Sequence, residues 1–319
     1  MMKSPTILAV GGAYIERRGR VAGAFVPAAS NPGTMREHVG GAAFNALRCA
    51  VRRGVSASLL SVRGGDALGD TVLRAVTDAG IADLSAVFLD RATPSHTMLV
   101  DSDGGLIAGL ADMVLYELAL PKQIRRAKVR DAIGSADAVL CDANLPSSAV
   151  ARLAALAAGK PVFALAVSPS KAARLTPVLD LLALAFMNRH EAGVLAGVDI
   201  DADDQGIVDG LRRAGLKSGV ITAGDGPVLG FDKLGAFSIL PPPLQKRTDA
   251  AGAGDALAGA TIAALLRGLT LRAALCEGVA AAMLTVESAA FTSAGFAEAL
   301  ALVPRRGTWR EMRPRIAEA

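Results

Sequence analysis

The chain has 319 residues, 52% of them hydrophobic, 20% charged and only 4% aromatic. That is enough to bury a sizeable core, and no low-complexity block points to disorder. The formal net charge of +4 is a mild bias, and so few rings offer no stacking platform, so a nucleic-acid partner is not expected.

In chain order, the first strand is expected at residues 7–10, followed at once by Gly11 and Gly12. Residues 14–37 lack helical periodicity and are broken by Gly19, Gly23, Pro27, Pro32 and Gly33. Short strands such as 21–25 fit them best. A helix at 42–53, a strand at 57–62 and a helix at 68–79 come next. Residues 87–108 return to β character, with 97–100 and 106–108 flanking the turn Asp101-Ser102-Asp103-Gly104-Gly105. Strands at 138–141, 162–167, 182–186 and Gly219–Thr222 then alternate with helical patterns. Ala-rich helices at 255–266 and Leu271–Val286 close the chain. Alternation of this length indicates an α/β fold, a mainly parallel sheet with helices on both faces. The two β-rich insertions, about 13–37 and 87–112, are expected to form a small β lid on a single domain spanning 1–319.

Cys49, Cys141 and Cys276 are too scattered for a disulfide framework or a C-x-x-C metal site. A strand begins almost at the N-terminus, no signal peptide is recognisable, and no run of 18 apolar residues occurs. The expectation is a cytoplasmic protein without a membrane partner. The basic clusters at 125–130 and 305–315 read as solvated faces.

The chemistry concentrates in residues 248–255, TDAAGAGD, which precede a helical pattern. A glycine-rich turn there can gather the N–H groups of Gly252, Ala253, Gly254 and Asp255 at a helix N-terminus, where they hold an anion. A carboxylate beside that anion can take the proton of an attacking hydroxyl. Read alone, Asp255 is more plainly a helix N-cap. The Walker A and GxGxxG patterns are absent, which leaves P-loop and dinucleotide-dependent oxidoreductase readings without support.

TDAAGAGDALAGA closely resembles the C-terminal signature of the ribokinase-like (PfkB) sugar kinase family, DTxGAGD. The resemblance implies that Asp255 is the catalytic base and that Gly252, Ala253 and Gly254 form the anion hole. Ala250 departs from the family's threonine. Asp249 matches a residue near the ATP phosphates and, in many members, at a monovalent-cation site, so K+ is an implied activator. Gly40-Gly41-Ala42-Ala43-Phe44-Asn45, leading into a helix, resembles the N-terminal signature, in which Gly40, Gly41 and Asn45 contact sugar hydroxyls. Residues 64–70 resemble a structural G-x-D-x-x-G segment. Asn188-Arg189-His190-Glu191 resembles the N-x-x-E motif, whose glutamate acts on Mg2+ through water; by itself it reads as a capping box. Thr222, Gly224 and Gly226 resemble the nucleotide loop, with compressed spacing. His38, His96 and His190 lack metal-ligand spacing, and His96 reads as an ordinary surface or core histidine.

Residues 109–117, 141–146, 161–175 and 187–197 look like the pseudouridine kinase branch, through Asp112, Met113, Asp142, Asn144, Ser168 and Lys171. Leu165 stands where that branch has Asp. Tyr14 and Glu16 stand where the family commonly has Asn and Asp on the sugar hydroxyls. Glu16 keeps the charge with a longer reach; Tyr14 either stacks on a base or fills the pocket. The resemblance implies a Mg2+- and ATP-dependent kinase for the 5′-hydroxyl of pseudouridine or a related ribosyl compound. The alternatives are a ribokinase- or fructokinase-like sugar kinase and, in another class, a non-catalytic nucleoside sensor. Exposed strand edges on the lid, together with the resemblance, imply a homodimer.

Overall fold

In chain order, β1 (Thr6–Val10) precedes a long pair, β2 (Tyr14–Val21) and β3 (Gly33–Gly40), and then α1 (Ala42–Arg52). Next come β4 (Ser56–Leu60), β5 (Val62–Gly64), α2 (Ala67–Asp78), β6 (Ile81–Asp83) and β7 (Ala86–Phe88). A second pair follows, β8 (Ser95–Val100) and β9 (Leu106–Asp112). The middle of the chain holds α3 (Val114–Gln123), α4 (Ala127–Ser135), β10 (Ala138–Asp142), α5 (Ser147–Leu156), β11 (Val162–Leu165) and the short α6 (Pro169–Ala172). A 3-10 segment, Ala173–Leu181, leads to β12 (Leu184–Asn188), α7 (Arg189–Ala196), α8 (Asp204–Arg213) and β13 (Gly219–Thr222). The last elements are β14 (Val228–Asp232), β15 (Gly235–Ile239), α9 (Ala253–Leu266), α10 (Leu271–Val286), α11 (Ser293–Leu302) and β16 (Arg310–Met312). The computed structural model describes residues 4–199, 201–246, 250–287 and 292–303, and the backbone of 310–312.

The large sheet runs β16-β15-β14-β13-β12-β11-β10-β1-β4-β6. It is parallel from β6 to β13 and antiparallel beyond. All five residues of β10 are buried, as a parallel strand covered on both faces requires. One face packs on α1, α2 and α9 to α11 through Phe44, Leu47, Val76, Ile262 and Val279. The other packs on α3 to α8 through Tyr116, Leu120, Ile133, Leu153 and Leu211. Among the described residues no helix is long and apolar enough to cross a membrane. The β14–β15 hairpin was not anticipated, because its apolar runs lack the paired turn glycines that announce a hairpin.

The small sheet has the order β3-β2-β8-β9. Its first two strands correct the expectation of short strands around 21–25. β2 and β3 are eight residues each, and 22–32 is the connection between them. Pro27 and Pro32 lack the N–H a ladder needs, and the alternation of Tyr14–Val21 is hidden by Arg17 on one face and Arg18 and Arg20 on the other. The hairpin after β8 is as expected: Asp101 Oδ1 accepts the N–H groups of Asp103 and Gly105 at 2.9 and 2.7 Å. Residues 86–88 instead pair with β5, away from the small sheet.

Candidate active site

Helix α9 starts at Ala253, with Gly252 as its N-cap at φ 75°. Asp255 is therefore the third residue of the first turn and not the cap. Its Oδ2 accepts a hydrogen bond from Asn45 Nδ2 of α1 at 3.0 Å. The two helices meet at backbone distance, because a Cβ on Gly259 would be driven into the Ala46 carbonyl. That contact is what brings Asn45 to Asp255. At the start of α1, Gly41 has φ 115°, and a side chain there would also strike the Gly12 carbonyl oxygen. The residue must be glycine on both counts.

The sequence motif alone did not reveal what anchors this corner. Asp142, the last residue of β10 and fully buried, accepts the N–H groups of Gly12 at 2.7 Å, Ala43 at 3.2 Å and Asn144 at 3.0 Å. One carboxylate thus ties the exits of β1 and β10 to the first turn of α1. Glu16 on β2 lies 3.1 Å from His38 Nε2 on β3, and His96 on β8 is its other cross-strand neighbour. Gly40, opposite Tyr14, leaves space for the Glu16 carboxylate. Glu16, Gly40, Gly41, Asn45 and Asp255 are gathered at one cleft. Asp112 is not among them. It pairs with Ser95 one row from the Glu16–His96 row, so its side chain projects to the opposite face of the small sheet.

Burial pushes the Asp255 carboxyl up to about 7. The Asn45 hydrogen bond opposes the shift, and the negative charges of Glu16, Asp142 and Glu191 add to it. The residue still keeps partial access to solvent at the cleft floor. A base must be deprotonated to accept a proton, so kcat/KM should rise with pH through about 7 and level off above it. Asn45→Ala removes the contact that favours the charged form and should move that limb to higher pH. A limb that stays in place in a pH–rate comparison of the two proteins would refute the assignment.

Beside the start of α9 is a cavity of about 700 Å³. Thr222, Gly224 and Asp225 line one side, the proline run 241–243 another, and Val279 and Met283 of α10 the far wall. Ala253 and Gly254 stand at its inner end. Gly226 closes the turn through its N–H to Ala223 O at 2.9 Å and is not on the cavity wall. The Ala253 N–H is taken by Ala250 O at 3.2 Å, which removes it from the expected anion hole. Those of Gly254 and Asp255 make no hydrogen bond among the described residues. An apolar slot ending on free N–H groups fits a nucleotide, base outward and phosphates inward. Asp249 lies outside the described residues.

Asn188 and Glu191 do form a capping box at the start of α7. Glu191 is buried, pushed up chiefly by that burial, and each carboxylate oxygen accepts one N–H from Asn188, at 2.7 and 2.8 Å. One lone pair remains on each oxygen, which fits a hydrated Mg2+ held through water. Among the described residues no cluster of three His, Cys, Asp or Glu is arranged to hold a metal directly.

Residues 4–294 match the family described as pfkB family carbohydrate kinase. The chain belongs to the pfkB family. It is accordingly a sugar or nucleoside kinase, a phosphotransferase with a hydroxyl acceptor. A solved carbohydrate kinase from Agrobacterium tumefaciens is 41% identical, covers 94% of this chain and 98% of its own, and superposes with a TM-score of 0.81. A pseudouridine kinase of Escherichia coli (strain K12) is 26% identical over 260 residues, 81% of this chain and 82% of that protein. Arabidopsis thaliana ribokinase, solved with ribose and ATP, shares the fold at a TM-score of 0.81 and 20% identity, over 93% of this chain and 99% of its own.

Proposed function

We propose that this pfkB kinase transfers the γ-phosphoryl group of ATP to the 5′-hydroxyl of a ribosyl compound, with pseudouridine as the leading acceptor. The observation that carries the reading is the position of Asp255: its carboxyl, raised to about 7, stands between the nucleotide-sized cavity and the Glu16–Gly41–Asn45 cleft. Asp255 takes the proton of the attacking hydroxyl, and the N–H groups of Gly254 and Asp255 hold the charge that develops on the phosphoryl oxygens. Glu191, oriented by Asn188, would hold Mg2+ through water, and the ion would supply neutralisation of the phosphates when bound. Glu16, Gly41 and Asn45 orient the acceptor hydroxyls, and the small sheet acts as a lid that excludes water. The exposed Met35, Leu106 and Leu110 on the edge strands β3 and β9 support pairing of two lids. The acceptor reading also draws on similarity to pseudouridine kinases from two organisms.

The test is ATP consumption over a panel of pseudouridine, uridine, ribose and fructose, with and without Mg2+ and with K+ against Na+. Pseudouridine should give the highest kcat/KM. A preference for ribose or fructose would replace it with a plain sugar, and tight binding without turnover would leave a sensor.

A further inference from the structure

One hydroxyl holds together the entry to the lid at β2 and the exit from it at β9. Tyr116 stands in the first turn of α3, just past the end of β9, and is fully buried. Its hydroxyl donates to Ala13 O at 3.0 Å and accepts from Ala13 N at 3.0 Å. Ala13 lies between β1 and β2, beyond either ladder, and is itself buried. Among the described residues its backbone groups have no other hydrogen bond. Buried backbone N–H and C=O groups need partners, and here a single side chain supplies both. Burial pushes the Tyr116 phenol up, so it stays a neutral hydroxyl, donor and acceptor at once.

The Ala13 N–H belongs to the peptide plane shared with Gly12, and the Ala13 carbonyl to the plane shared with Tyr14. Holding both fixes φ and ψ at Ala13. The Gly12 N–H is held by Asp142 at 2.7 Å, so Asp142 fixes a point of the chain and Tyr116 the direction in which β2 leaves it. Glu16 is three residues on, about 10 Å at the rise of a strand, and a turn of about 10° at Ala13 would carry its carboxylate by about 2 Å. Misplacement on that scale can cost a site about a hundredfold. The hydroxyl is also braced from behind. Ser61 Oγ lies 3.1 Å from it, the Ser61 N–H donates to Ser85 Oγ at 3.1 Å, and the Ser85 N–H donates to Asp83 Oδ1 at 3.1 Å. Asp83, at the end of the edge strand β6, pairs with the buried Arg63 at 2.8 Å. A buried polar network with its partners in place rigidifies what it touches, and what this one touches is the root of the lid.

We propose that Tyr116 is a positioning residue for the transfer: its hydroxyl, braced by Ser61, sets the direction of β2 and so holds Glu16 in place beside Asp255. The inference rests on the reading of Glu16 as an acceptor contact and of Asp255 as the base. It adds a buried residue that touches no substrate and acts through Glu16. The coupling has a signature, because the Glu16 charge is one of those that raise the Asp255 carboxyl.

Tyr116→Phe deletes the hydroxyl and keeps the ring. On whichever of pseudouridine, uridine, ribose and fructose the wild type turns over best, the acceptor KM should rise about 10- to 100-fold while the KM for ATP stays within a few-fold. With Glu16 loosened from Asp255, the limb of the pH–rate profile near 7 should move to lower pH, a shift that lost stability alone does not produce. A double-mutant cycle with Glu16→Gln decides the route: in that background Tyr116→Phe should add less than about threefold to the acceptor KM. An equal loss in both backgrounds, equal rises in the two KM values, or a limb that does not fall overturns the proposal. Hydrogen exchange is followed in parallel without substrate. The amides of β2 should exchange about tenfold faster or more in Tyr116→Phe, and those of β10 as in wild type. If the wild type phosphorylates none of the four compounds, the ribosyl-kinase reading fails, and exchange still decides this inference; unchanged exchange in β2 sinks it. If Tyr116→Phe does not fold, Ser61→Ala takes its place, with changes in the same direction and several-fold smaller.

Discussion

Asp255→Asn should lower turnover by about a thousandfold while leaving the KM for ATP within a few-fold if the carboxylate acts, as proposed, on the acceptor proton. The same substitution should make the protein more stable above neutral pH. The folded-state pKa of about 7 lies above the ordinary carboxylate value because burial disfavours the charge. For a raised acid the sign is unfavourable: the penalty is absent below about pH 4, grows as pH rises to about 7 and is constant beyond. Asn keeps the shape and removes the charge, so the gain should be on the order of 1–2 kcal/mol, since cleft water screens part of the effect, or a few degrees in Tm at pH 8. The gain should vanish at pH 4. A variant that is less active but no more stable would mean that Asp255 is not under electrostatic strain. One with near-wild-type turnover would remove it from the chemistry altogether. Activity and stability moving in opposite directions is the pattern of a functional group held in an unfavourable environment.

Much of this was legible because local rules and tertiary structure agreed. The apolar runs that became β1, β10, β12 and β13 can only be buried strands, and Leu271–Val286 was bounded to the residue. The glycines of the GAGD turn marked it as a candidate anion site beside an N-cap reading, and choosing between details needed coordinates. Whether Asp255 capped its helix or faced another residue depended on where α9 begins, a matter of one or two positions. Asp112 and Glu16 were both expected at the acceptor, and only the strand register put Asp112 on the other face. Glu191 forms the capping box that its local spacing announces, and its carboxylate keeps lone pairs that a hydrated ion could use. The cavity wall at 241–243 left no motif, because prolines there serve by shape. Nor does Asp142 advertise itself: in CDANLP it looks like a loop residue, and nothing local says that its three donors come from 99 and 130 residues away and from two residues on.

That non-local carboxylate makes the second large prediction. Asp142→Ala would leave the Gly12, Ala43 and Asn144 N–H groups buried without an acceptor, each at a cost of about 1–3 kcal/mol before relaxation. A side chain on Gly11 would be as harmful, since its Cβ would stand 2.5 Å from Asp142 Oδ2. Some of the space will admit water, so a net loss of about 3–5 kcal/mol is expected, a fall of about 5–10 °C in Tm. Burial raises the Asp142 pKa while the three donors resist it, which makes Asp142→Asn the informative control. The amide keeps the volume but offers one acceptor oxygen, so its Tm should lie between those of Ala and wild type. Function should follow position. With the first turn of α1 released from β1, Gly41 and Asn45 lose their fixed relation to Asp255, and the acceptor KM should rise about tenfold or more, with the KM for ATP much less affected. A Tm within 2 °C of wild type for Asp142→Ala, or equal rises in both KM values, would show that the corner is held by packing alone. The expected asymmetry reflects the construction of the site: the nucleotide cavity is walled by α9, α10 and the proline run, while the acceptor cleft hangs on one buried carboxylate.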